Sequence, residues 1–382
     1  MATPPGAITR RSATTSRTAT SRPSGLSPTT ATGTPPESPE KHKRNGTAMK
    51  KKYLALPGLL LASAAVLAGC SGAASEPASG GGEDEALSIG FFGFAAANSF
   101  AQGVYDGVEA AAEENGATAE FVDSNFDGQL QAQQITDATT SGQYDIIIIQ
   151  ANDNLVVQKP LEDAIAAGIT VVVEFTAVGP DFETIEPQIE GAISIVDPAV
   201  TNGVKLGEMG LLACEEAASD PCQVAYMEGS RALPLDNART KAVVDTLTAG
   251  GAEVVAQVEG GYTADAGQAA FQDIITANPD VDVVIGSSQA VGGARLAAGA
   301  DSDVKFIGNG SSRQAVQAVL DGEWFAAYAL DVYLNGFTAA ELGISKHNGE
   351  DVEVAISEPD LTPSKGIGTA ETLKDFVATY DD

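Results

Sequence analysis

Short apolar runs alternate with longer amphipathic stretches along the chain from residue 87 onward. The runs DIIIIQ at 145–150 and ITVVVEF at 169–175 are almost continuous in Ile and Val. This pattern is typical of strands that are buried on both faces of a parallel sheet. The predicted strands are residues 87–94, 118–123, 145–150, 169–175, 192–196, 223–227, 253–258, 281–286, 304–308 and 324–330.

The stretches between these runs have the apolar period of helices, and several end at a glycine that can serve as a C-cap. The predicted helices are residues 99–115, 129–141, 156–167, 199–218, 236–249, 264–277, 289–298 and 313–321. Alternation of strand and helix implies right-handed βαβ units, and therefore an α/β fold of doubly wound parallel sheets. Ten strands are too many for one such sheet of ordinary size, so we predict two lobes with a first crossing near residues 194–197.

The N-terminal part differs in composition from the rest. Residues 1–48 are rich in Ser, Thr, Pro and Arg without an apolar period, so we interpret them as a disordered extension or a mis-assigned start. Three lysines follow Met49, and the apolar stretch 53–68 after them is short for a membrane-spanning helix. Residues 49–69 therefore have the pattern of a signal peptide.

The end of this signal, Leu67-Ala68-Gly69-Cys70, resembles the lipobox of bacterial lipoproteins. The resemblance implies that Cys70 is lipidated, and that residues 70–85, rich in Gly and Ser, form a flexible tether. An uncleaved signal anchor with a chance cysteine is the alternative. We expect an exported protein, anchored by lipid to the outer face of the cell membrane, and facing the periplasm if an outer membrane exists.

Two further cysteines, Cys214 and Cys222, flank a turn at Asp220-Pro221. An even pair in an exported protein predicts a disulfide, with two free thiols as the alternative. No Cys/His spacing typical of a metal site is present in the sequence. We therefore expect neither a metal nor a cofactor.

Charge excludes several classes of partner. The chain has a formal net charge of −31, and residues 70–382 contain eleven Lys and Arg against fifty Asp and Glu. A nucleic-acid-binding protein needs a basic face, and docking on anionic lipid needs a basic patch. We therefore expect no nucleic-acid partner, and membrane contact only through the lipid.

Motifs of common enzymes are missing from the sequence. It contains no GxxxxGK[ST], GxGxxG or GxSxG motif, and its two histidines are His42 and His347. Without a usable histidine, most acid–base and nucleophile–base arrangements cannot be built. The sequence does not predict an enzyme, although a glycosidase with two carboxylates stays formally open.

Four segments resemble type 1 periplasmic binding proteins of the ribose- and galactose-binding class. They are residues 87–116, 127–173, 270–293 and 304–310, and the likeness extends over nearly all of residues 87–375. The resemblance implies a solute-capturing component of an ABC importer, with two lobes joined by three crossovers. It implies one lobe of residues 86–194 plus 331–356, and a second of residues 195–330 plus 357–382. The ligand of such a protein lies between the lobes, at the carboxyl ends of the strands.

By this resemblance, the ligand contacts of the first lobe begin after the first strand. Asn98 aligns with a polar contact and Phe100 with a stacking aromatic, and Phe94 joins them. The alternative is a core phenylalanine and a helix N-cap. Asp153 and Asn154 follow the third strand, with pure helix capping as their alternative.

The second lobe is expected to supply Arg239, which aligns with an arginine that donates hydrogen bonds to sugars, and Tyr262, a second stacking aromatic. A surface ion pair is the alternative for Arg239. The remaining expected contacts are Ser288, Gln289, Asn309 and Asp331.

The sequence departs from the familiar sugar binders at several of these positions. Glu174 and Phe175 stand where those proteins carry Asp-Arg, and Ser288-Gln289 stands where they carry Asn-Asp. We expect Glu174 to replace one lost group. The changes favour another sugar, a polyol or a less hydroxylated solute over ribose.

We therefore predict a monomeric solute-binding lipoprotein that captures a sugar or sugar-like small molecule by hinge closure. Its expected partners are the permease of an ABC importer and the ATPase of that importer. A lipoprotein that presents its solute to a membrane receptor or kinase is the alternative.

Overall fold

The computed structural model describes residues 86–382, so the predicted signal peptide, Cys70 and tether lie outside the described residues. The strands are β1 (Ser88–Gly93), β2 (Thr118–Asp123), β3 (Ile146–Ile149), β4 (Thr170–Phe175), β5 (Ile193–Val196), β6 (Gln223–Glu228), β7 (Glu253–Glu259), β8 (Val283–Ser287), β9 (Lys305–Asn309), β10 (Ala326–Ala329), β11 (Ala355–Ser357) and β12 (Gly366–Gly368). The helices are α1 (Ser99–Glu114), α2 (Gly128–Ser141), α3 (Gln158–Ala166), α4 (Ala199–Ala217), α5 (Pro234–Ala249), α6 (Ala264–Ala277), α7 (Ser288–Ala298), α8 (Arg313–Leu320) and α9 (Val332–His347), with a 3-10 turn at Glu358–Leu361.

These strands form two six-stranded sheets. The first has the order β11-β5-β4-β3-β1-β2, and all its strands are parallel. The second has the order β12-β10-β9-β8-β6-β7, and only the edge strand β12 runs antiparallel. All four isoleucines of β3 are fully buried, as the apolar run predicts for a strand covered on both faces. The predicted α/β fold with two doubly wound lobes is confirmed.

The chain passes between the sheets three times. It leaves the first sheet after β5, returns between β10 and α9, and leaves again between β11 and β12. The predicted boundaries after residues 194 and 356 fall inside β5 and β11. Both strands pair along their whole length with the first sheet, so the crossings lie after Val196 and after Ser357.

Helix α9 and the short edge strands β11 and β12 were missed by the sequence pattern. Helix α9 contains Asn335, Gly336 and Gly343, residues with low helix propensity. It packs against α1, where a Cβ on Gly336 would lie 1.9 Å from the Val104 carbonyl oxygen. A Cβ on Gly107 of α1 would likewise lie 2.0 Å from the Tyr333 carbonyl oxygen. The glycines that weaken the helical pattern therefore allow the two helices to touch backbone to backbone.

Two other sequence expectations concern covalent structure and membranes. Cys214, near the end of α4, and Cys222, just before β6, form a disulfide with a Cα–Cα distance of 5.6 Å, so that prediction is confirmed. Among residues 86–382, no helix combines the length and the apolar character that a membrane span requires.

Candidate functional site

A cavity with an empty volume of about 600 Å³ lies where the carboxyl ends of strands from both sheets meet. Clefts at this edge are the usual binding places of open α/β sheets. Its lining residues are Phe94, Asn98, Phe100, Phe126, Phe175, Leu233, Leu235, Arg239, Tyr262, Ser288, Gln289, Asn309, Gly310, Ser311, Tyr328, Leu330 and Tyr380.

Aromatic rings from both lobes form much of the wall. Phe126 of the first lobe stacks on Tyr262 of the second with a centroid distance of 5.9 Å and an angle of 8°. Phe94 continues this stack behind Phe126 at 6.3 Å and 17°. Phe100 contacts Phe175 edge-on at 4.8 Å. The cavity therefore offers flat apolar faces on which a ring-shaped ligand can stack.

Two of these phenylalanines have an unusual backbone. The φ angles of Phe126 and Phe175 are 59° and 60°, in the left-handed region that bulky residues rarely adopt. Such strain persists where the surrounding structure imposes it, and it concentrates at ligand sites. In this protein both residues with this backbone conformation come after or at the end of a strand, β2 and β4 respectively, and both line the cavity.

Arg239 on α5 supplies the cationic group of the cavity lining. Its side chain is only 5% exposed, and its Nη1 donates to Asp236 Oδ1 at 2.8 Å. Burial disfavours the charge of Arg239, but the nearby Asp236, Tyr262, Tyr226 and Asp197 together outweigh that effect, so the pKa of Arg239 lies above its usual value. Within the described residues, its Nε and Nη2 are buried and have no hydrogen-bond partner.

Asp236 is itself held in place by the second lobe. The Tyr262 hydroxyl donates to both of its oxygens at 2.7 Å, and the Ser230 backbone N–H donates to Oδ2 at 2.7 Å. This network fixes the direction of the Arg239 guanidinium before a ligand binds, because every atom that holds Asp236 belongs to the same lobe.

Asn98 and Gln289 face the cavity from opposite lobes. Asn98 Oδ1 accepts from the Ala101 backbone N–H at 2.9 Å and so caps α1, which leaves its Nδ2 for a ligand. Gln289 Nε2 donates to Ser99 Oγ at 3.0 Å, a hydrogen bond that links the second lobe to the first. The structure therefore holds the two lobes in contact around the cavity.

The sequence also matches a known family. Residues 89–351 match the family model described as periplasmic binding protein domain, which is well over half of the chain. The chain belongs to this family. The resemblance to type 1 periplasmic binding proteins is thereby confirmed. A search of the curated proteins found no match to this binding protein.

Solved structures share the fold of this binding protein. A solute-binding protein from Bacillus halodurans C-125 with bound myo-inositol is 19% identical, with a TM-score of 0.65 over 77% of this chain and 98% of that one. One from Actinobacillus succinogenes 130z with bound D-allose is 14% identical, with a TM-score of 0.64 over 76% and 100%. One from Mycobacterium smegmatis with bound glycerol is 22% identical, with a TM-score of 0.63 over 78% and 100%. The family and these structures are solute-binding proteins rather than enzymes.

Eight of the twelve ligand contacts expected from the sequence lie around the cavity of the binding protein. They are Phe94, Asn98, Phe100, Arg239, Tyr262, Ser288, Gln289 and Asn309.

Three of the remaining expected contacts have other partners. Asp153 Oδ1 accepts from the backbone N–H groups of Leu155 and Val156 at 3.0 Å, and so caps the turn before α3, as its alternative reading had it. Asn154 Nδ2 donates to the Gly179 carbonyl. Asp331 caps α9 through the Leu334 N–H at 3.1 Å. None of the three lines the cavity of the binding protein.

Glu174 is the fourth expected contact outside the cavity. It precedes Phe175 in β4, and because side chains alternate along a strand, the two point to opposite faces. Glu174 is fully buried near Glu358, whose Oε1 accepts from the Phe175 backbone N–H at 3.0 Å. Burial raises the pKa of Glu174 to about 7. Burial and the neighbouring charges of Glu174 and Asp197 raise the pKa of Glu358 well above its usual range.

Sequence reasoning missed nine of the lining residues. Phe175, Gly310, Ser311 and Leu330 lie at or just after the carboxyl ends of predicted strands, so a stricter use of strand ends could have found them. The others carry no local signal, because they come from loops, from the first turn of α5, from inside a strand and from the last residues of the sequence. These residues are Phe126, Leu233, Leu235, Tyr328 and Tyr380.

Proposed function

We propose that this chain is an extracytoplasmic solute-binding lipoprotein that captures a sugar or sugar-like small molecule and delivers it to the permease of an ABC importer. The observation that carries the proposal is the cavity between the two lobes, which both lobes line with aromatic rings and hydrogen-bonding groups. The bound D-allose, myo-inositol and glycerol of three structures with the same fold support a small ring or polyol solute.

Capture works by hinge closure. Three crossing segments join the lobes, and a fold of this kind can open and close about such connections. The ligand binds one lobe first, and the second lobe then covers it. Closure is driven only by contacts that improve in the closed state, such as the Gln289–Ser99 hydrogen bond and the Phe126–Tyr262 stack.

Delivery requires a membrane partner and a location outside the cytoplasm. The lipobox-like sequence ending at Cys70 supports export and lipid anchoring, with the acidic domain tethered at the outer face of the membrane. The permease recognises the closed form, and its ATPase drives uptake. The protein acts as a monomer, and its charge supports the absence of a nucleic-acid partner.

Thermal unfolding of the protein with a panel of pentoses, hexoses, polyols and nucleosides tests the proposed ligand class. A ligand at a thousand times its dissociation constant adds about 4.1 kcal/mol to the free energy of unfolding. In a protein of this size, such a gain raises the Tm by roughly 6 °C. Absence of any shift across the panel would contradict a sugar or sugar-like ligand.

Uptake measurements test the transport role separately. Cells that express the protein should accumulate the radiolabelled ligand, and a Cys70→Ala variant should secrete the protein and lose most of that uptake. Unchanged uptake in cells that lack the protein would contradict a role in transport and favour sensing.

A further inference from the structure

Most polar groups that line the cavity are already paired with protein atoms. Asn309 and Asn202 exchange amide hydrogen bonds of 3.3 and 3.4 Å. The Ser311 hydroxyl donates to the Leu330 carbonyl at 2.5 Å. The Ser288 hydroxyl donates to Asp382 at 2.9 Å. These groups shape the cavity but have little hydrogen-bonding capacity left for a ligand.

The buried polar atoms of the lining that have no partner among the described residues are donors. Among the described residues, Arg239 Nε and Nη2 have no partner, and no protein atom accepts from Asn98 Nδ2. Nε–H and Nη2–H lie on one edge of the planar guanidinium, since Nη1, on the other side, is engaged by Asp236. Two parallel donors on one edge match a ligand with two adjacent acceptor atoms.

Acceptors for ligand hydroxyls are scarce by comparison. The lining of the cavity, which lies wholly within the described residues, contains no Asp or Glu. The side-chain oxygen of Asn98 accepts from the first turn of α1, and that of Asn309 accepts from Asn202. The oxygen of Gln289, with a long contact of 3.4 Å to the Ser288 hydroxyl, is the main amide acceptor left for a ligand. Each hydroxyl of a sugar brings a donor that needs an acceptor, and unpaired buried donors are costly. A densely hydroxylated ligand therefore fits this lining poorly.

Electrostatics favour a neutral acceptor pair over an anion. Asp236 already lies 2.8 Å from the Arg239 guanidinium and balances its charge. Residues 70–382 carry fifty acidic and eleven basic residues, so an anionic solute would meet a repulsive field outside the cavity. The aromatic rings of the lining, among them Phe126, Tyr262 and Phe100, favour a ligand with a flat apolar ring over an open-chain polyol.

We infer that the ligand is a neutral, planar heteroaromatic solute with few hydroxyl groups, whose edge presents two adjacent acceptor atoms to Nε and Nη2 of Arg239. This inference rests on the proposed capture function, and it departs from that proposal only in naming a ring-bearing solute in place of a simple sugar. A nucleoside has this chemistry, since it joins such a ring to a sugar. Cytosine presents O2 and N3 as adjacent acceptors, and guanine presents O6 and N7.

Isothermal titration calorimetry with matched nucleosides tests the inference on the intact protein. Cytidine and uridine share their sugar, but N3 of uridine carries a hydrogen and is no acceptor. Guanosine and adenosine also share their sugar, but adenosine places a donor amino group beside N7. We expect cytidine or guanosine to bind at least tenfold more tightly than its matched partner. Equal binding within both pairs, or no binding by any of the four, would overturn the inference.

A substitution at the proposed donor pair provides the second measurement. Arg239→Lys keeps the charge but removes the planar fork. We expect it to weaken binding of the preferred nucleoside at least tenfold and to abolish the discrimination within the pair. Arg231→Lys is the matched control, because Arg231 is exposed, pairs with Glu228 and does not line the cavity. If Arg239→Lys still prefers one nucleoside of the pair, Nε and Nη2 of Arg239 are not the donors that discriminate between the two.

Three further ligands separate this inference from the proposed function. Tighter binding of myo-inositol or D-allose than of every nucleoside would overturn the heteroaromatic ligand while leaving capture of a sugar-like solute intact. Tighter binding of benzoate than of every nucleoside would show that the two acceptor atoms belong to a carboxylate. That result would overturn the inference of a neutral ligand.

Discussion

Three buried carboxyl groups lie near the first and third crossings between the lobes. Glu174 and Glu358 are fully buried and Asp197 is 3% exposed. The Tyr328 hydroxyl and the Asn202 amide donate to Asp197 at 2.7 and 2.8 Å, whereas both oxygens of Glu174 have no partner among the described residues. Burying a charge without a partner is costly, so these groups tend to hold protons that an exposed carboxyl group would lose.

We therefore expect the free energy of unfolding to fall as the pH rises from about 5 to 8. The unfolded chain releases these protons near pH 4–5, while burial raises the folded-state pKa of Glu174 to about 7. The folded state binds more protons in that window, so deprotonation destabilises it. Glu358→Gln keeps an oxygen for the Phe175 N–H and removes one charge. Urea unfolding should show that the free energy of unfolding falls less between pH 5 and pH 8 in this variant than in the parent protein, by on the order of 1–3 kcal/mol.

Glu371→Gln serves as the control for that comparison, because Glu371 is exposed. The same substitution there should leave the pH dependence of the parent protein almost unchanged. An equal flattening in both variants would mean that general charge repulsion, rather than the buried carboxyl groups, causes the effect.

At the scale of elements, small residues decide how closely the helices pack. Helices α1 and α9 approach each other through Gly107 and Gly336, at distances that leave no room for a methyl group. Helix α9 ties the returning chain to the first lobe, since it packs on α1, β3 and β4. Its stability therefore depends on tertiary contact more than on its own sequence.

Gly336→Ala should destabilise the protein by about 1–3 kcal/mol, because the new Cβ would meet a backbone atom that cannot move aside. Gly292→Ala is the matched control in α7, where a Cβ meets nothing within 4 Å. That change should stabilise the protein by about 0.5–1 kcal/mol through helix propensity. Denaturant midpoints measure both changes, and a loss of similar size in the two variants would contradict the packing argument.

The disulfide joins the end of α4 to the start of β6. It closes a loop with a sequence separation of 8 residues, so the chain-entropy model gives roughly 2–3 kcal/mol of stabilisation. The paired variant Cys214→Ser/Cys222→Ser should lower the free energy of unfolding by that amount and leave ligand affinity unchanged, because neither cysteine lines the cavity. Equal stability of the parent and the variant under non-reducing conditions would contradict a stabilising role for the disulfide.

At the scale of the whole molecule, function depends on a few contacts that join the lobes. Gln289 of the second lobe donates to Ser99 of the first at 3.0 Å, Phe126 stacks on Tyr262, and Phe100 contacts Tyr380 with a centroid distance of 6.3 Å. Under the proposed hinge closure, these contacts form only when the lobes approach each other, so we expect them to govern the lifetime of the closed complex rather than the first encounter.

Ser99→Ala should therefore raise the ligand dissociation rate about two- to tenfold, the effect of losing one hydrogen bond of ordinary strength. The association rate should stay near the parent value. Stopped-flow fluorescence with the ligand from the thermal panel measures both rates. Ser345→Ala in α9 is the control, because Ser345 lies near the end of that helix and does not line the cavity. A change confined to the association rate would contradict this role for the contact.

The sequence by itself determined the alternation of strands and helices, since the period of apolar residues is a local property. The family resemblance in the sequence also placed Asn98 and Gln289 just after β1 and β8, and both residues line the cavity because parallel strands bring those ends to one edge. Only the tertiary structure decided which side chains turn into the cavity. Phe175 faces it while Glu174 is buried elsewhere, because strand alternation separates neighbours and the packing of both lobes selects the face. Tyr380 reaches the cavity from the end of the chain through contacts that no local pattern records.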